Sequence, residues 1–357
     1  MTITRPTGIR TASRIRAALS TVMLSATGCD APATTPVQQP APLVDARVPA
    51  GFPGGTPASR APTDNALTEG RAQLGKRLFF DPRLSRTGDI ACVTCHPPDH
   101  AFSDPAAVST GVDQRQGTRN APALVNLAWS SSFFWDGRAA TLEEQAGKPI
   151  ENPDEMDLSL PEAVARVAAD ASYTTAFEQA YGGPVTEESL RKAIASFVRV
   201  VVSTDSPYDR HLRGDDTALG EAERRGEQLF LSEKAACFHC HPGGSLTNDG
   251  FFNNGTFRDG GDAGRKLVTG RTGDAGKFKV PGLRNIAASA PYMHDGSLAT
   301  LDDVLDHYVR GGGGHVFTDP TIRPLTLTPD ERADLLAFLR SFTDDAFLSD
   351  PRWAAPK

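Results

Sequence analysis

The chain has 357 residues, 39% of them apolar and 23% charged, an ordinary globular balance with length enough for two compact domains. A formal charge of −7 leaves no broad basic surface, which argues against nucleic acid as a partner and favours a cationic one. No run reaches the roughly 18 to 20 apolar residues that a membrane-spanning helix needs.

Residues 1–29 read as a targeting segment, because Arg5, Arg10, Arg14 and Arg16 precede a short apolar stretch that ends in small residues before Cys29. Ala26-Thr27-Gly28-Cys29 resembles a bacterial lipoprotein cleavage site, in which Cys29 becomes the acylated N-terminus and anchors the protein to lipid; simple signal cleavage nearby is the alternative. Residues 30–62 are rich in Pro, Ala and Thr without apolar periodicity, and are expected to form a disordered tether.

The five cysteines fall into Cys92-Val93-Thr94-Cys95-His96, Cys237-Phe238-His239-Cys240-His241 and the lone Cys29, so none is left for a disulfide. The repeated pattern has a mechanical reason. Two thiols three positions apart reach the two vinyl groups on one porphyrin edge, and the next side chain is an imidazole that rises to the iron. A zinc knuckle or a redox dithiol would use the same cysteines, but export favours haem, since c-type attachment takes place outside the cytoplasm. The expected location is the periplasm.

Between and after these motifs the pattern is helical. Residues 160–181 read as one helix that starts at Pro161 and stops before Gly182-Gly183. Leu190, Ile194, Phe197, Val198 and Val201 recur at helical spacing. Asp, Arg and Gly accumulate at 205–220, where a domain boundary is expected, and residues 242–280 read as long loops. Leu301, Val304, Leu305 and Tyr308 share a helical face behind a Thr300 cap. Thr328-Pro329-Asp330-Glu331 is a capping box, followed by the stripe Leu335, Phe338, Leu339 and Phe342. The expected fold is mainly α, with two cytochrome c-type domains, 63–215 and 216–345, each wrapped around one covalently bound haem with long loops, and a tail at 346–357.

Further segments carry a resemblance over about residues 64–345: Arg119-Asn120-Ala121-Pro122, Phe134-Trp135-Asp136-Gly137-Arg138, Glu144-Gln145-Ala146, Glu155-Met156, Leu283-Arg284-Asn285 and Ala290-Pro291-Tyr292-Met293-His294-Asp295-Gly296. In order and spacing they resemble the bacterial di-haem cytochrome c peroxidase family, particularly its MauG-like branch. The resemblance implies that the haem on Cys92 and Cys95, with His96 as proximal ligand, meets peroxide, and that the haem on Cys237 and Cys240, with His241, relays electrons. Where the family's peroxidases place a distal His that must leave before peroxide enters, this sequence has Val112, which cannot ligate iron. It further implies Glu155 as proton shuttle, Gln145 as hydrogen-bond partner of peroxide, Pro149 and Phe134 as pocket walls, and Trp135 as the relay between haems. A count from Pro291 places Tyr308 at the distal position of the second haem, with Met293 as the fallback. One calcium ion between the haems is implied at Asn120, Ser289 and Pro291, with Ser289 replacing the usual Thr.

The implied activity is reduction of hydrogen peroxide to water with electrons from a small cytochrome c or cupredoxin; family members often form homodimers. Oxidative modification of a protein partner is the second reading, weakened because MauG uses a Trp where this chain has Ala235. A non-enzymatic electron carrier is the third, and it requires two six-coordinate haems.

Overall fold

The computed structural model describes residues 60–356. The targeting segment, Cys29 and residues 30–59 of the expected tether lie outside the described residues. The fold is mostly helical. In chain order it contains α1 (Glu69–Phe79), the single turn α2 (Cys92–Cys95), α3 (Leu142–Glu151), α4 (Leu160–Ala168), α5 (Ala171–Tyr181), α6 (Glu187–Val200), α7 (Pro207–Leu212), α8 (Glu221–Phe230), the short α9 (Lys266–Thr269), α10 (Leu301–Val309), α11 (Pro329–Arg340) and α12 (Asp345–Leu348). Residues 242–280 are mainly loop, pinned by a two-residue antiparallel pair, β1 (Phe251–Phe252) with β2 (Phe278–Lys279). Among the described residues no helix is long and apolar enough to cross a membrane.

Caps set the helix starts. Thr68, Thr141, Thr186, Thr300 and Thr328 each accept a backbone N–H of the first turn they precede, satisfying a donor that the helix cannot. The stripe of α6 divides between two cores: Leu190 and Ile194 pack with Leu74 and Leu78, whereas Phe197, Val198 and Val201 join Phe79 and Phe102. Leu335, Phe338, Leu339 and Phe342 build a third core with Tyr208 and Phe230.

Residues 160–181 are two helices and not the one expected. Asp170 leaves helical geometry and its carboxylate accepts the Ser172 N–H, which caps α5 and breaks the run although apolar spacing continues across it. The expected tail is docked: Phe347 and Trp353 are buried against Phe102 and Phe197 in the core of the first half. The stretch 205–220 holds α7 with a capping box, and the fully buried Asp209 pairs with Arg284 through two hydrogen bonds of 2.5 and 2.8 Å. Arg60 donates from its backbone to the Ala128 carbonyl at 2.9 Å, so the chain is already packed at that point.

The two halves repeat one plan. α1 crosses α6 at Gly75, where an added Cβ would lie 1.9 Å from the Ala193 carbonyl oxygen; α8 crosses α11 at Gly226, where it would lie 2.1 Å from the Asp334 carbonyl oxygen. Only glycine lets these helices approach so closely. Further on, the correspondence runs at a constant separation of 159 residues, as from Asn126 to Asn285. Both asparagines are left-handed and open a 3-10 turn. Phe133 bridges Ala139 as Tyr292 bridges Leu298, and Phe134 and Met293 share a left-handed backbone. Thr141 caps α3 as Thr300 caps α10. In this register Pro149 of α3 corresponds to Tyr308 of α10.

Candidate haem sites

Each Cys-x-x-Cys-His run folds as a tight turn that places its imidazole at the turn's end. The chain then doubles back through left-handed residues, Ala101 and Phe102 in the first half and Leu246 in the second. This aims a carbonyl at the ring: His96 Nδ1 bonds Phe102 O at 2.8 Å, and His241 Nδ1 bonds Leu246 O at 2.9 Å. A carbonyl can only accept, so Nδ1 carries the proton and Nε2 keeps the lone pair that a metal needs. Burial lowers the pKa of both imidazoles, that of His241 to about 4, which keeps them neutral.

The thiols are free, and burial pushes Cys92 and Cys237 to about 12 and Cys95 and Cys240 to about 11. Unstabilised thiols suit thioether formation better than a thiolate-metal site or a reactive dithiol. Among the described residues no three His, Cys, Asp or Glu side chains converge closely enough to hold an ion. Cys92, Cys95, His96, Cys237, Cys240 and His241 are deep, yet each keeps accessible surface. That combination fits side chains facing an internal space shaped for a large flat group.

At the first site Cys95, His96, Phe134, Trp135, Gln145, Pro149 and Glu155 line one cavity of about 210 Å³. A neighbouring space of about 60 Å³ adds Cys92 and shares Gln145, Pro149 and Glu155. Gln145 and Pro149 are one turn apart on α3. Proline has no N–H to give the Gln145 carbonyl four residues earlier, a bond the helix forgoes where it faces the cavity. Glu155 sits on the turn after α3. Its N–H donates to Asn152 O at 3.0 Å, its carbonyl accepts from Val112 N at 2.9 Å, and its Oε1 accepts from Asn152 Nδ2 at 2.6 Å. Gly111 packs against the Asp154 and Glu155 backbone, where any Cβ would collide at 2.3 to 2.4 Å. Burial raises the Glu155 pKa, while the Asn152 bond and the Arg138 charge oppose the rise. Its charge in turn disfavours ionisation of Cys92 and Cys95, with which it lines the smaller space.

Trp135 joins the halves. Its Nε1 donates to Asn120 O at 2.8 Å, its carbonyl accepts from Lys279 N at 2.7 Å, and Asn120 N donates to His294 O at 2.8 Å. Arg119 locks this junction by bonding Asp136 at 2.7 Å and Asp262 at 2.5 and 2.9 Å. Asn120 Nδ2 donates to Ala106 O at 2.9 Å, turning Oδ1 away from that carbonyl. Ser289 and Pro291 lie shortly before His294, and the Ser289 hydroxyl is spent on Ile286 O. At the second site Tyr308 lies on α10 near Cys237 and Cys240, and burial pushes its phenol to about 12 against a hydrogen bond from Asn254. Asn254 Nδ2 also donates to Met293 Sδ at 3.2 Å. Asn152 and Asn254 had no signal in the sequence, since each matters only through the side chain it meets in the fold.

A family model described as di-haem cytochrome c peroxidase matches residues 69–217. The methylamine utilization protein MauG of Methylorubrum extorquens is 40% identical over 284 residues, which are 78% of this chain and 80% of that protein. The chain belongs to the bacterial di-haem cytochrome c peroxidase family. Membership makes it an oxidoreductase and implies two haem c groups. The cytochrome c551 peroxidase of Nitrosomonas europaea is 37% identical over 279 residues, covering 77% of this chain and 80% of that one. Among solved structures of the family, a MauG-like protein associated with microbial copper homeostasis aligns with TM-score 0.81 and 38% identity over 85% of this chain and 98% of that chain. The di-haem peroxidase BthA of Burkholderia thailandensis, 24% identical, shares the fold with TM-score 0.70.

Proposed function

We propose that this member of the family is a periplasmic peroxidase that reduces hydrogen peroxide to water with electrons from a small cytochrome c or cupredoxin. Each half encloses one haem c, on Cys92, Cys95 and His96 in the first and on Cys237, Cys240 and His241 in the second. The observation that carries the reading is the repeat position shared by Pro149 and Tyr308. One half offers a phenol where the other offers a ring with no donor atom, and Val112 adds none.

A haem held by Cys92, Cys95 and His96 would supply a place for peroxide to bind and a route for two electrons. The protein supplies the rest. Gln145 hydrogen-bonds the bound oxidant, and Phe134 and Pro149 limit its pocket. Glu155 takes a proton from the inner peroxide oxygen and returns it to the outer one, so that the leaving group is water. With two electrons and two further protons, peroxide becomes two waters. Trp135 bridges the halves as the relay, and a Tyr308 phenolate holding the second haem would favour its ferric state more than a thioether would.

A calcium ion is proposed beside the relay, held by Asn120 Oδ1 and the carbonyls of Ser289 and Pro291, a hard-oxygen set that water would complete. Oxidative modification of a protein partner is not favoured: at Ala235 the chain carries a small buried side chain and no aromatic exit.

Stopped-flow mixing of the diferric holoprotein with peroxide tests the reading. The Soret band is expected to shift within the mixing experiment without prior reduction, and an unchanged band would refute the open first haem. Calcium chelation should slow the reaction reversibly; unaltered kinetics would remove the ion from the account.

A further inference from the structure

In the first half, Phe134 and Pro149 both line the cavity that contains Cys95 and His96. Their repeat partners in the second half are Met293 and Tyr308, which the register places at the corresponding positions of the site that holds Cys237, Cys240 and His241. Each carries an atom able to bind iron, a thioether sulphur and a phenol oxygen.

A single amide meets both. Asn254 Nδ2 donates to Met293 Sδ at 3.2 Å, and the Asn254 side chain lies close enough to the Tyr308 phenol to oppose the rise in its pKa that burial causes. Its orientation is set from behind, because Asn254 Oδ1 accepts from Thr256 N at 3.2 Å and from Thr256 Oγ1 at 2.9 Å. A backbone N–H can only donate, so the oxygen end of the amide faces Thr256 and the NH2 end faces the two candidate ligands. The Asn254 carbonyl also accepts from His307 Nε2 at 2.8 Å, which ties the residue to α10 one position before Tyr308.

We propose that Asn254 is a positioning residue that selects the axial ligand of the second haem, engaging the Met293 thioether and presenting the Tyr308 oxygen to iron. An N–H on the sulphur engages one of its two lone pairs and makes it a weaker donor to iron. An N–H on the phenol oxygen stabilises it as a bound phenolate, as partners of metal ligands commonly do. Without the amide the Met293 thioether would be free to replace the Tyr308 oxygen in holding the second haem, and the released phenolate would take one proton from solvent. No electron moves. The inference rests on ligation by Tyr308 and deepens that reading.

The test uses the diferric holoprotein and its Asn254→Leu and Asn254→Asp variants, read by electronic and magnetic circular dichroism spectra and by redox titration of the second haem. The wild type is expected to show the phenolate-to-iron charge-transfer band. The variants should lose much of it, gain the near-infrared band of a thioether-ligated ferric haem and titrate at higher potential. Hydrogen bonds to charged groups set the scale, a shift in the Tyr-to-Met ratio on the order of tenfold. Adding Met293→Leu to Asn254→Leu should abolish the new band. Asn254→Asp keeps the side-chain shape and the acceptor for Thr256, so it carries the test if the leucine variant does not fold. Variants that keep the wild-type band and potential would overturn the role of Asn254 while leaving Tyr308 in place. A wild type already showing the thioether band would overturn ligation by Tyr308 itself.

Discussion

Glu155 shows how much a single residue owes to its surroundings. In sequence it is one acid of the run Asp154-Glu155-Met156-Asp157, and only the family resemblance separates it from a solvated loop charge. In the fold it is tied at its N–H and carbonyl and held at its carboxyl by Asn152, and it shares a cavity with Cys92 and Cys95. Glu155→Gln keeps an oxygen for Asn152 but removes the proton carrier. The variant should bind peroxide and lose on the order of 100- to 10,000-fold in the rate of its cleavage; full activity would exclude Glu155 from the mechanism. The pH profile gives an independent check. Proton uptake from peroxide requires the carboxylate, and burial raises this group's pKa, so kcat/KM should fall on acidification at a pH above the ordinary Glu value of about 4.3. The glutamine variant should lack that limb. Asn152 and Asn254, by contrast, were not legible, because an amide has no motif and acts through what lies beside it.

At the scale of elements, the helices with strong periodicity and explicit caps were readable. The apolar face of α6 and the capping box of α11 both lie where spacing placed them. One reading failed and one contact had no signal, each for a physical reason. Asp170 ends one helix and starts another without interrupting the apolar period, so 160–181 looked continuous. Residues 346–357 lack periodicity because they bind through two large rings, Phe347 and Trp353, at positions that no repeat defines. The correspondence of α3 with α10 was present as a constant spacing, but the shared caps and left-handed residues are what identify it. It predicts that a donor can be transplanted. Pro149→Tyr should convert the first haem to a six-coordinate, low-spin centre and suppress its reaction with peroxide. A variant that keeps the high-spin centre would show that the repeat register does not govern ligation.

For the whole molecule, the two halves share a plan but differ at the point where chemistry is decided. Both fix a neutral imidazole through a backbone carbonyl, and both hold a pair of half-buried thiols. Contacts centred on Trp135, Asn120, Lys279 and His294 then join them, at the junction where the relay is proposed. Cysteine spacing made the two Cys-x-x-Cys-His turns legible at once; the junction was not, since it depends on packing between segments more than a hundred residues apart. The account depends on an asymmetry between two otherwise parallel centres. Electron paramagnetic resonance of the resting diferric holoprotein measures it most directly. One high-spin and one low-spin ferric signal in equal amounts is the predicted result, and two low-spin signals with no high-spin component would contradict it.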